Sequence, residues 1–152
     1  MRILFVCTGN TCRSPMAEAI ARHCFEEDGY GSGFTFFSRG ISVFKSEAAA
    51  GNAVQALKDF YGIELSGYES RQLLVEDIEK ADIILGMTSA HKYYLTSAYP
   101  DYSGKIFTLG SFCGGDFEIT DPYGGDLSLY KECAGYLYKC IEGLMDKLTQ
   151  GF

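Results

Sequence analysis

Apolar positions in this chain fall into short unbroken runs and longer runs of helical spacing, and the two alternate. Ile3-Leu4-Phe5-Val6 is a continuous apolar block that predicts a buried strand over residues 2–6. From Ser14 to about Glu27, Met16, Ala17, Ile20, Ala21 and Cys24 recur at helical spacing, with Pro15 suited to a first turn and Gly29, Gly31 and Gly33 ending the helix. Phe34-Thr35-Phe36-Phe37 reads as a second strand. A helix follows over 47–60, with Ala49, Ala53, Val54, Leu57 and Phe60 on one face. Residues 66–76 read as a loop with room for a short helix, 82–87 as a third strand, 89–98 as a helix and 106–109 as a fourth strand. A Gly-, Asp- and Pro-rich loop over 110–125 leads to a last helix over about 126–149, with Leu129, Cys133, Leu137, Ile141, Leu144 and Leu148 on its apolar face. Strands alternating with helices imply an α/β fold in three layers: a four-stranded parallel twisted sheet with helices on both faces. No repeat or linker interrupts residues 1–152, so one domain is expected. In such folds ligands bind beyond the carboxyl ends of the strands. That rule directs attention to Cys7 and to the loop after strand four.

Composition narrows the classes of function. The net charge of −7 lacks the basic excess of a nucleic-acid binder. No apolar run approaches the ~18 residues of a membrane span, and the block at the N-terminus is too short for a signal peptide, so a cytoplasmic protein without membrane partners is expected. Six cysteines (7, 12, 24, 113, 133 and 140) show no C-x-x-C spacing, and His23 and His91 fit no ligand pattern; no metal and no cofactor are expected. Cys24, Cys133 and Cys140 read as helix packing.

The distinctive chemistry lies in Cys7-Thr8-Gly9-Asn10-Thr11-Cys12-Arg13-Ser14, between the first strand and the first helix. The N–H groups of such a loop, with a helix N-terminus behind it, can surround a tetrahedral oxyanion. Gly9 gives backbone freedom for a tight turn, and Asn10 tolerates left-handed geometry. Arg13 supplies a planar fork for two phosphate oxygens. Cys7 then lies beneath the phosphorus, in a positive field that favours the thiolate, with the Ser14 hydroxyl able to bond it. The set describes a nucleophile for phosphoryl transfer through a cysteinyl-phosphate. A nucleotide-binding P-loop would require a lysine that this loop lacks. Asp121, in Asp121-Pro122-Tyr123-Gly124, is a turn residue by itself and a candidate general acid when taken with the Cys7 loop. Cys12 shares the loop with Cys7 and is a candidate partner for oxidised Cys7 in a protective disulfide.

With these residues in hand, the chain resembles the low-molecular-weight protein tyrosine phosphatases. Residues 7–19 and Asp121-Pro122-Tyr123-Gly124 carry the resemblance, supported by Ser70-Arg71-Gln72-Leu73, by 81–88 and by Lys105-Ile106-Phe107-Thr108-Leu109. The resemblance implies metal-free hydrolysis of phosphate esters or phosphoramidates on phosphorylated proteins, with phosphate or another oxyanion in the loop. It implies Cys7 as nucleophile, Arg13 as clamp, Asp121 as acid and later base, Asn10 as a shaper of the loop, Ser14 as support for the thiolate, and Ser38 as a brace for Asn10. Two departures stand out. Tyr68 occupies a place where the family often has histidine. Arg39-Gly40 replaces Ala-Gly, and the proline-containing loop that usually follows is missing between 41 and 52.

The family divides by substrate. Thr11 and Asp121-Pro122-Tyr123-Gly124-Gly125 with Leu129-Tyr130-Lys131 resemble the bacterial protein arginine phosphatase branch, whereas tyrosine-directed members usually have a bulky apolar residue such as isoleucine at the position of Thr11. A threonine hydroxyl can serve the polar group beside a P–N bond, and the Asp121 carboxylate can accept two hydrogen bonds from a guanidinium. Phosphoarginine is therefore the expected substrate and phosphotyrosine the alternative, with Tyr123 and Phe44 as candidate cleft walls. Arsenate reductases share the loop but need additional relay cysteines, and none stands between Cys24 and Cys113. A non-catalytic phosphate-binding module would not need both Cys7 and Asp121.

Overall fold

A computed structural model describes residues 1–115 and 117–150. Residue 116, within the 110–125 loop, and residues 151–152 lie outside the described residues. Four strands, β1 (Arg2–Cys7), β2 (Thr35–Gly40), β3 (Ile83–Gly86) and β4 (Ile106–Thr108), form one sheet in the order β2-β1-β3-β4. Every pairing is parallel. The helices are α1 (Arg13–Glu27), α2 (Gly51–Tyr61), α3 (Val75–Lys80), α4 (Ser89–Ala98), the single turn α5 (Leu109–Phe112) and α6 (Leu127–Thr149), with a 3₁₀ segment at Pro100–Lys105.

The apolar run of β1 divides by the two-residue period of a strand. Ile3, Phe5 and Cys7 join a core shared with α1 and α6, while Leu4 and Val6 join a second core with Ile78 of α3 and Leu95 of α4. Both faces of the sheet are thus covered, which explains why β1 is apolar at consecutive positions. Cys7 is the last residue of a central strand and projects toward the α1 side.

Tertiary pairing moves several element boundaries. β2 runs on to Gly40 because β1 continues to pair with it, ending in register at Cys7 and Gly40. The segment 47–50 is extended, and α2 begins only at Gly51. Ser70 captures this segment: its Oγ accepts from the Glu47 N–H at 2.8 Å, and its own N–H donates to the Glu47 carbonyl at 2.8 Å. The Ala50 N–H then donates to the Thr11 carbonyl at 2.9 Å. Phe60 leaves the buried face of α2 and lies half-exposed under Lys131. Leu129 is likewise half-exposed, and the buried stripe of α6 starts one residue later, at Tyr130. Cys24, Cys133 and Cys140 are buried helix residues.

Candidate active site

The Cys7 loop occupies the carboxyl end of β1, and its geometry follows from a few local constraints. Asn10 has φ 58, the one positive φ at a non-glycine among the described residues. The left-handed turn therefore falls on Asn10 and not on Gly9, whose added Cβ would meet only the Thr11 hydroxyl, at 3.9 Å. Gly40 is the glycine the loop requires. A Cβ there would lie 2.7 Å from the Thr8 carbonyl oxygen and 2.9 Å from the Asn10 Cβ, so no larger residue fits beneath the loop. The loop enters α1 with Cys12 as its cap residue, leaving first-turn N–H groups without helical acceptors.

A closed set of hydrogen bonds gives this turn its direction. The Tyr68 hydroxyl donates to Asn10 Oδ1 at 2.6 Å, so Ser38 Oγ, also 2.6 Å away, must donate to Tyr68. Asn10 Oδ1 accepts in addition from the Arg71 N–H at 2.8 Å. Asn10 Nδ2 donates to Ser38 Oγ at 3.2 Å and to Ser14 Oγ at 2.8 Å. Ser14 Oγ, while accepting from Asn10, also lies 2.8 Å from Cys7 Sγ, and its hydroxyl is free to donate to a thiolate there. The sulfur also accepts from the Asn10 N–H at 3.2 Å. Asn10, Ser14 and Ser38 are buried, so the set is shielded from competing water. Burial raises the Tyr68 hydroxyl to about 12, leaving it a proton donor at neutral pH.

His91 anchors the outer side of the loop. Its Nδ1 accepts from the Thr88 N–H at 3.2 Å, which places the ring hydrogen on Nε2, 2.9 Å from Thr8 Oγ1. Burial, reinforced by the Arg13 charge, lowers His91 to about 4, so the ring is neutral near pH 7. Tyr130 of α6 places its hydroxyl 3.2 Å from Cys12 Sγ, and burial raises the Cys12 thiol.

Arg13 is buried, and its guanidinium is fixed from one side. Nη1 donates to the Ile119 carbonyl at 3.0 Å, and Nη2 lies 3.5 Å from Asp121 Oδ2. Ile119 is tied to the end of β3 by its N–H on the Met87 carbonyl at 3.0 Å. Asp121, about half-exposed, accepts from the Tyr123 N–H at 3.1 Å through its other oxygen. A cleft of about 360 Å³ opens above Cys7 and the loop, lined also by Asp121, Tyr123, Phe44 and Glu47. Thr11 and Cys12 also line it. Tyr123 and Phe44 are exposed at the rim, 76% and 98% respectively.

The fold thus gathers into one cleft residues separated by more than a hundred positions, and adds Tyr68, Arg71, His91, Tyr130 and the Ile119 carbonyl. Of these, Tyr68 carried a legible signal, a lone substitution beside the Ser70-Arg71 motif. His91 gave no signal beyond its three-residue offset from Thr88. Among the described residues, no group of three or more His, Cys, Asp or Glu side chains could hold a metal ion.

Comparison with known proteins agrees with this geometry. The profile of the low molecular weight phosphotyrosine protein phosphatases matches residues 2–151. A protein-arginine-phosphatase of Geobacillus stearothermophilus is 40% identical over 148 residues, 97% of this chain and 95% of its own. A low molecular weight protein-tyrosine-phosphatase of Staphylococcus epidermidis is 36% identical over 148 residues, 97% and 96% of the two chains. The crystal structure of a low molecular weight protein tyrosine phosphatase from T. tengcongensis superposes with a TM-score of 0.92 at 42% identity, covering 97% of this chain and 99% of that one. The chain belongs to the low-molecular-weight phosphotyrosine protein phosphatase family, and it is a hydrolase of that class.

Proposed function

We propose that this phosphatase removes phosphate from arginine side chains of cytoplasmic proteins through a phosphocysteine on Cys7. The observation that carries the mechanism is the convergence of two donors on Cys7 Sγ at the floor of a cleft whose wall holds Arg13 and Asp121. Thr8, Gly9, Asn10, Thr11, Cys12, Arg13 and Ser14 form the phosphate cradle. Cys7 attacks phosphorus, and the loop N–H groups and the Arg13 guanidinium take the charge of the equatorial oxygens. Asp121 delivers a proton to the departing nitrogen, then takes one from the water that cleaves the thiophosphate bond. Ser14 returns its hydrogen bond to the sulfur as it leaves.

Three features support the arginine reading. Thr11 presents a hydroxyl in the cleft where an isoleucine would present only carbon. Asp121 and Glu47 both line the cleft, and their carboxylates match a cationic guanidinium better than a neutral phenol ring. A relative named as an arginine phosphatase is 40% identical. Phosphotyrosine is the second reading, favoured by the aromatic rim of Phe44 and Tyr123 and by relatives named as tyrosine phosphatases. Cys12, next to Thr11 in the cradle, is the thiol proposed to capture oxidised Cys7. Six unpaired cysteines fit a reducing compartment. Comparing kcat/KM on one protein carrying phosphoarginine or phosphotyrosine tests the assignment: higher efficiency on phosphoarginine is expected, and a preference for phosphotyrosine overturns the substrate while keeping the chemistry.

A further inference from the structure

Outside the cleft, two other cysteines meet. Cys113 follows α5 at the root of the loop that leads to Asp121, and Cys140 stands in the middle of α6. The backbone of Cys113 lies directly against α6: a Cβ added to Gly143 would be 3.2 Å from the Cys113 Cβ and 3.2 Å from its carbonyl oxygen. Cys140 is one helical turn before Gly143 and therefore on the same face. The Cys113 thiol donates to the Gly110 carbonyl at 3.3 Å, and the Cys140 thiol interacts with Cys113 from α6. Neither is joined in a disulfide, and the pair differs in access, Cys140 being buried and Cys113 partly open to solvent. We propose that Cys113 and Cys140 form a second redox site, a dithiol that peroxide closes into an internal disulfide clipping the start of the acid loop to α6.

The two sulfurs are not equivalent, and their difference sets the order of events. The Cys140 thiol bonds the Cys113 sulfur and so lowers Cys113, with the Lys147 ammonium adding a smaller contribution of the same sign. Lys147 is fixed nearby by donating to the Phe112 carbonyl at 3.0 Å. The same hydrogen bond, together with burial, raises Cys140. Cys113 is thus the more acidic and the more accessible member, and Cys140 is the protonated partner held against it. In the first step Cys113 gives up to solvent the proton it otherwise donates to the Gly110 carbonyl, its thiolate attacks one oxygen of hydrogen peroxide, the O–O bond breaks, hydroxide leaves and takes up a proton, and Cys113 becomes a sulfenic acid. In the second, the Cys140 sulfur attacks the Cys113 sulfur, the S–O bond breaks, and the released hydroxide leaves as water with the Cys140 proton. Two thiols are oxidised and one peroxide is reduced to two waters.

The test is peptide mapping of full-length protein treated with limiting hydrogen peroxide, alkylated and digested without reductant. A Cys7→Ser/Cys12→Ser background removes the active-site thiols, and the wild type is mapped in parallel so that the result does not depend on that variant folding. The expected product is a Cys113–Cys140 linked peptide lighter by two hydrogens than its two halves, released by dithiothreitol. Cys140→Ser should divert Cys113 to sulfenic and then sulfinic acid. A Tm that rises in the oxidised protein and returns on reduction would place the bridge in the folded state. Full alkylation of Cys113 after peroxide with no linked peptide, or a bridge from Cys113 to Cys133 instead, overturns the proposal.

Discussion

The two halves of the cleft are built in opposite ways. The Cys7 side is cross-braced: Asn10, Ser14, Ser38 and Tyr68 exchange hydrogen bonds that all resolve toward one sulfur, and most of these atoms are buried. The Asp121 side is exposed and is held by an ion pair to Arg13 and a two-residue turn to the Tyr123 N–H. The difference fits the roles proposed for the two halves. A cradle for a dianion gains by having its donors fixed before substrate arrives, because no reorganisation is then needed in the transition state. An acid that must reach leaving groups of different shape needs a position fixed only at its root, which the Arg13–Ile119 bond supplies.

Substitutions can break this contrast at either end. The largest effect is expected from Cys7→Ser, which leaves the cradle intact but removes the nucleophile. Turnover of an aryl phosphate should fall by at least about 10⁴-fold in steady-state assays, while phosphate still binds by calorimetry. Asp121→Asn strikes the open half. A loss of about 10²–10³-fold in kcat is expected, as for removal of a general acid; the loss should shrink for substrates with good leaving groups, which need no proton. Equal losses on good and poor leaving groups would show that Asp121 serves only to hold Arg13.

Smaller changes sharpen the comparison. Gly40→Ala would place a methyl within 3 Å of the Thr8 carbonyl and the Asn10 Cβ. A stability cost of about 1–3 kcal/mol by denaturant unfolding is expected, with activity falling alongside it. His91 gives the braced half its acid limit. Its folded value of about 4 lies below the usual 6.5, so the unfolded chain binds more protons between those values. Stability must then decline as pH falls from about 6.5 toward 4. Urea midpoints across that range should show a steeper decline in the wild type than in His91→Asn, and parallel curves would refute the assignment. Thr11→Ile is the mildest change. It should lower kcat/KM for phosphoarginine relative to phosphotyrosine by roughly tenfold, the value of one hydroxyl contact, and leave Tm nearly unchanged.

The sheet and the place of Cys7 at its carboxyl edge were legible in the sequence for the same physical reason. A central parallel strand buried on both faces must be apolar at every position, so Ile3–Val6 announces both the strand and the point where Cys7 leaves it. Local turn chemistry marked the loop and the left-handed tolerance of Asn10, which takes that turn, while Gly9 does not need positive φ. Pairing between distant segments was not legible. Residues 47–50 have helical composition, yet Ser70 holds them extended. Phe44 and Tyr123, expected beside the cleft, line its exposed rim. Tyr68 stood out only as a departure from the family pattern, and its bracing role and that of His91 escaped notice because a buried tyrosine or histidine has no periodic signature. Only the fold brings Tyr68 and His91, 58 and 83 positions away from their partners, into contact with the loop.

Tyr68 has a consequence for chemistry in changing surroundings. A histidine at that position, with an ordinary value near 6.5, would gain or lose charge in the range where cells vary their pH. Tyr68 holds its proton up to about 12, and His91 on the other side of the loop stays uncharged down to about 4. Between those limits neither brace changes its charge, so the shape of the cradle is insulated from acidification, and any response of turnover to pH must arise in the groups that meet the substrate.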